Sequence, residues 1–134
     1  MKNNTQPITN EYTLTENRNI TYFPIDPFIE KIYNLLERKI DDPYLNISSL
    51  AKSLNVSRAQ LHRKVKLSLG IPASEVVRNY RLYKSLTYLK NGYNSSEAAF
   101  MVGFDSPSYF SKCFKKLFGK SPIQYLKSNI NTIH

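Results

Sequence analysis

A single cysteine, Cys113, stands in the 134 residues, so no internal disulfide can form. The histidines are His62 and His134, and with one thiol they make no cluster of metal-ligand spacing, which argues against a structural zinc. No apolar run approaches the ~18 to 20 residues that a membrane span needs. The opening MKNNTQPITN has no hydrophobic segment of the kind a secretory signal carries. These absences lead us to expect a cytoplasmic chain with no membrane partner. Paired carboxylates, a Ser/His/Asp set and a glycine-rich phosphate loop are also missing, so we expect no enzyme and no cofactor. Nothing resembles an effector pocket or a dimerisation segment, so we expect no small-molecule ligand in this chain and a monomer unless it is part of a longer chain.

What is present is enough for one domain: 41% of the residues are hydrophobic, which supports a modest core. Acids are scarce in one part of the chain. From Lys52 to Lys127 there are 14 lysines and arginines against Glu75, Glu97 and Asp105, a net of +11, while the remainder carries −2. So uneven an excess points to a polyanionic partner, with nucleic acid ahead of a membrane surface. A generally basic, solvated surface is the plainer reading of charge alone.

Residues 1–24 are rich in Asn and Thr and lack apolar periodicity, which predicts a flexible tail or linker. From Asp26-Pro27 onward the pattern turns helical. Phe28, Ile29, Ile32, Leu35, Leu36 and Ile40 recur at spacings of three and four, with Pro27 suited to a first turn. Asn46 stands where an N-cap should, before Leu50, Ala51 and Leu54; Asn55 then tolerates the left-handed backbone of a tight turn. Ser57-Arg-Ala-Gln60 has the form of a capping box, and Leu61, Val65 and Leu69 carry an apolar stripe until Gly70. A longer helix is expected from Ala73 to Lys90, with Val76, Val77, Tyr80, Tyr83, Leu86 and Leu89 on its apolar side.

The next part repeats the earlier one. Asn94, Ala98, Ala99 and Gly103 follow Asn46, Leu50, Ala51 and Asn55 by 48 residues; Phe110, Phe114, Phe118 and Gly119 follow Leu61, Val65, Leu69 and Gly70 by 49. One residue has been inserted after the turn. A last helix is expected from about Pro122 to Ile130. Each repeat is helix, short turn, helix, the arrangement in which a second helix enters the DNA major groove while the first buttresses it. Ala51 and Ala99 lie four residues before the turn residue, where a larger side chain would push the crossing helices apart. In the second repeat Phe110, Cys113, Phe114, Leu117 and Phe118 form an inward stripe, leaving Ser108, Ser111, Lys112 and Lys115 on the outer side. The fold class is therefore all-α: two helix-turn-helix units (25–72 and 92–134) joined by a linker helix (73–91), about seven helices in all. Tyr93 and Tyr109 are poor candidates for stacking on single-stranded bases, because no alternating strand pattern supplies a platform.

The stretch AAFMVGFDSPSYFSKCFKKLFGKSP, Ala98 to Pro122, resembles the second helix-turn-helix unit of the AraC/XylS-type transcription regulators. The first unit, LAKSLNVSRAQLHRKVKLSLGIP, matches as well, with Asn55 where that family often has Gly. Ala98 departs from the pattern, which usually has a larger aliphatic there. The resemblance runs from about Phe28 to Ile130. It implies a sequence-specific binder of double-stranded DNA that works in the cytoplasm at the nucleoid and has RNA polymerase as a partner. It also implies the reading positions: Ala59, His62 and Arg63 with Lys66 nearer the backbone, and Pro107, Ser108, Ser111 and Lys112 with Lys115 and Lys116 nearer phosphate. Arg63 can pair bidentately with guanine, and His62 can donate or accept at a base edge. The second set is chemically weaker, since Pro107 offers no side-chain hydrogen bond. We therefore expect the first unit to supply more of the selectivity. The rival class is a basic protein-interaction module, with DNA binding secondary.

Overall fold

Helix formation follows from the caps. The structure, a computed structural model, describes residues 26–42 and 44–133, with side chains to residue 128; the expected tail over 1–24 lies outside the described residues. Among the described residues there are seven helices and no strand. They are α1 (Pro27–Lys39), α2 (Ile47–Ser53), α3 (Arg58–Leu69), α4 (Ala73–Lys90), α5 (Ser95–Met101), α6 (Pro107–Phe118) and α7 (Pro122–Ile133). The all-α architecture of two helix-turn-helix units and a linker helix is the one expected. No helix among the described residues is long and apolar enough to cross a membrane.

Asp26 caps α1 through the Phe28 amide, with Pro27 filling the first position. Reciprocal capping boxes open α2 (Asn46 with Ser49), α3 (Ser57 with Gln60) and α5 (Asn94 with Glu97), each satisfying two amides that the helix leaves unpaired. Ser121 and Gln124 make the same exchange at α7. Left-handed glycines, Gly70 and Gly119, stop α3 and α6.

The duplication is structural as well as textual. Asn55 (φ 59°) and Gly103 (φ 93°) both turn through the left-handed region. After each turn the same backbone bond closes, Val56 N–H to Ala51 O in one unit and Phe104 N–H to Ala99 O in the other. Ser57 and Ser106 then cap the second helices, so Asp105 is the inserted residue. Leu50, Ala51, Leu61 and Val65 form the first core, with Ile29, Ile32, Leu35 and Leu36 of α1. In the second unit Ala98, Ala99, Val102 and an aromatic set replace them. Phe110 meets Phe104 at 5.2 Å and Phe114 at 5.7 Å, and Phe114 meets Phe118 at 4.5 Å. Small residues at 98 and 99 leave room for these rings, and both are fully buried.

Two expectations of burial are corrected. Leu69, in the last turn of α3, is exposed, whereas its counterpart Phe118 stays half-buried under the rings of Tyr83 and Tyr125. Tyr83 is exposed too, while Arg81, Leu82 and Ser85 of α4 are buried instead. The linker helix packs on α3 on one side and on α5, α6 and α7 on the other, so it buries more than a single stripe. Ser85 satisfies its hydroxyl by donating to the Leu82 carbonyl at 2.6 Å.

Candidate nucleic-acid interface

On α3, Leu61 and Val65 are buried and point inward, which turns the opposite side of the helix to solvent. Ala59, Arg63 and Lys66 lie there exposed, and His62 is half-buried at the edge; their spacings of three and four put all of them along one side. Gln60 is outside this set because its amide oxygen is engaged by the Ser57 N–H at 2.9 Å. Lys64 points elsewhere, with its ammonium 5.0 Å from the centre of the Phe28 ring. Ser68 is likewise occupied, donating to Asp26 at 2.6 Å. Asp26 is held below the usual carboxylate range chiefly by that hydroxyl and then by the Phe28 N–H.

On α6 the buried Phe110 and Phe114 play the part of Leu61 and Val65. Ser108, Lys112, Lys115 and Lys116 are exposed, whereas Pro107 and Ser111 are half-buried. Four of the six expected residues of this helix are thus exposed and two are half-buried. The 49-residue offset pairs Ala59 with Ser108, His62 with Ser111, Arg63 with Lys112 and Lys66 with Lys115. It also pairs Pro107 with Arg58, an exposed cation at the first position of α3 that the sequence reading passed over. The offset itself was the signal that could have found it.

Two cations of the linker helix, Lys84 and Arg81, are used internally. Lys84 pairs with Glu37 of α1 at 2.9 Å, and Tyr80 donates to the same carboxylate. Arg81 is buried and donates to the carbonyls of Val102 and Gly103. Its guanidinium is destabilised chiefly by desolvation, against which Asp105 and Asp42 act. The basic surfaces of α3 and α6 therefore stand apart from the charges that assemble the fold. Cys113 packs half-buried against the core, a free thiol in a largely apolar setting. Among the described residues no group of His, Cys, Asp and Glu is arranged to hold a metal ion.

The chain carries two capped helix-turn-helix units with outward basic helices, and the family described as "Helix-turn-helix domain", of the AraC type, matches residues 50–128. The chain belongs to this family. Its domain is a DNA-binding module of transcription regulation. The HTH-type transcriptional regulator MtrA of Neisseria gonorrhoeae is 37% identical over 101 residues, covering 73% of this chain and 34% of MtrA. The C-terminal domain of AraT, a response regulator from Geobacillus stearothermophilus, superposes with a TM-score of 0.70 at 31% identity, over 78% of this chain and 87% of that domain. The DNA-binding domain of AdpA, solved in complex with a target DNA, shares the fold with a TM-score of 0.68 at 22% identity, over 77% of this chain and 92% of that one. Curated relatives of this kind are longer, and the chain spans between 8% and 37% of the length of four of them.

Proposed function

We propose that the domain binds a specific double-stranded DNA site as a monomer, placing α3 and α6 in successive segments of the major groove. The observation that carries this reading is the repeated outer face. Two helices with the same cap, the same stop and the same buried positions each turn a cationic side away from the core. The linker helix, 18 residues long, measures ~27 Å at ~1.5 Å per residue, close to the ~34 Å between successive major-groove faces. One rigid spacer favours bending of the DNA to meet both helices. In this reading residues 25–72 and 92–134 are the two reading units and 73–91 holds them apart.

Arg63 reads a guanine through its fork of donors, with His62 and Ala59 beside it and Lys66 on phosphate. Arg58 joins them at the phosphate backbone beside the start of α3. Ser108, Ser111 and Lys112 read the second segment, Pro107 supplies contact without hydrogen bonds, and Lys115 and Lys116 neutralise phosphate. Pro107 is half-buried where its counterpart Arg58 is exposed, which supports assigning more of the selectivity to the first unit. RNA polymerase is the protein partner this reading implies. In vitro selection from random duplex DNA tests it. A two-part consensus with sharper preferences in the half bound by α3 is the expected result, with Arg63→Ala costing ~1 to 3 kcal/mol at one base pair. A basic protein-interaction module would show weak, sequence-independent DNA binding without a consensus. A circular-permutation gel shift without position dependence would remove the bend.

A further inference from the structure

Arg81 is 8% exposed at the middle of α4, away from both cationic faces. One terminal nitrogen of its guanidinium, Nη1, donates to the carbonyls of Val102, at 3.3 Å, and of Gly103, which form the turn between α5 and α6. Gly103 is pressed against this group: a Cβ there would overlap the guanidinium and would stand 2.7 Å from the Ile40 carbonyl at the end of α1. The end of the first unit's α1, the linker helix and the second unit's turn therefore meet around one side chain. Asp42, just after α1, and Asp105, just before α6, both favour its charge.

We propose that Arg81 is a positioning residue that sets where the second recognition helix stands relative to the first, and so fixes the spacing between the two half-sites one chain can read. This rests on the reading that α3 and α6 both enter DNA. A buried cation is a costly way to fill space, and an apolar side chain of similar volume would stabilise the core at least as well. Its Nε is buried with no hydrogen-bond partner among the described residues, a further cost that packing alone does not explain. What the guanidinium adds is direction, since its planar donors hold two carbonyls in one orientation. Gly103 is four residues from Pro107, the first residue of α6, so a displaced turn carries the helix with it. Over the ~18 Å of a 12-residue helix, a 10° tilt moves the far end roughly 3 Å, more than base-edge hydrogen bonds tolerate.

The test is selection from duplex libraries in which the spacing between the two half-sites varies, using the full chain, Arg81→Met and Arg81→Lys, with melting curves for each. The unmodified chain is expected to choose one spacing. Arg81→Met keeps the preferences of the first half, loses about tenfold in discrimination in the second, and accepts several spacings. Arg81→Lys, whose ammonium ends one bond short of the position of Nη1 and lacks its planar fork, falls between the two. Uniform weakening with the spacing preference intact overturns the proposal, as does an Arg81→Met selection identical to the parent. If Arg81→Met does not fold, Arg81→Lys decides, and an unchanged spacing preference in that variant overturns it. Selection of a single half-site by the unmodified chain also overturns it. No duplex preference at all in the unmodified chain is a failure of the DNA reading itself.

Discussion

The hydroxyl of Ser68, in the last turn of α3, donates to the carboxylate of Asp26 at 2.6 Å, joining the start of the first helix to the end of the first recognition helix across 42 residues. The same carboxylate caps α1 through the Phe28 N–H. Both bonds favour the charged form, so the folded pKa lies below the unfolded one. A carboxyl depressed in this way stabilises the fold above its unfolded pKa, and that contribution disappears as pH falls through the folded value. Urea unfolding of the parent should therefore weaken below about pH 4. Ser68→Ala should reduce that acid dependence and cost on the order of 0.5 kcal/mol at neutral pH, a small effect because the pair is exposed. An acid limb equal in slope to that of the parent would disconnect Ser68 from Asp26.

Gly103 and Gly119 both have positive φ, yet they should not respond alike to substitution. Gly119 opens onto free space, so Gly119→Ala carries only backbone strain, about 1 kcal/mol. Gly103→Ala adds overlap with Arg81 and with the Ile40 carbonyl and should cost about 3 kcal/mol. Denaturant melts of the two variants side by side would measure the difference, and equal losses would mean that the guanidinium yields easily.

Phe110 is fully buried between Phe104 and Phe114, whereas its neighbour Tyr109 is about half exposed. Phe110→Ala should cost ~3 to 5 kcal/mol, enough to unfold the second unit of so small a domain. Tyr109→Ala should cost far less. Thermal melts would show the contrast, and near-equal shifts would place the core of this unit elsewhere.

Asn94 accepts from the Glu97 N–H at 2.8 Å while Glu97 accepts from the Asn94 N–H at 2.9 Å. Asn94→Ala should cost about 1 kcal/mol, and Asn94→Ser should be close to neutral, since serine also caps. A melting temperature unchanged by Asn94→Ala would show that α5 is held by packing alone.

Binding to DNA should fall steeply with salt, with a slope near one for each phosphate contact. Lys115→Ala should lower that slope by about one unit and weaken all sequences alike, whereas Arg63→Ala should relax one base position. Titrations at several salt concentrations on matched and mismatched duplexes separate the two, and a Lys115→Ala effect confined to one base would move that residue from phosphate to base edge.

Much of this was legible along the chain because it is governed by neighbours in sequence. The caps at Asn46, Ser57 and Asn94, the left-handed turn at Asn55 and the stops at Gly70 and Gly119 each depend on backbone groups within a few residues. The cap at Ser106 is less visible because Tyr109 stands where a Glu or Gln would complete a capping box. Only the 49-residue offset singles out Arg58, and the exposure of Leu69 is invisible along the chain because periodicity does not say whether another element covers the last turn of a helix.

The sequence by itself determined seven helices, their order, the duplication and the separation of apolar from cationic sides, since all of these follow from local hydrogen bonding and helical period. Only the tertiary structure decided what the linker helix does with its polar residues. Lys84 reaches Glu37 of α1, Tyr80 meets the same carboxylate, and Arg81 turns inward to hold the carbonyls of Val102 and Gly103. A helix packed on two sides has no single buried stripe. Which of its cations face solvent is set by partners more than 20 residues away, and periodicity carries no information about them.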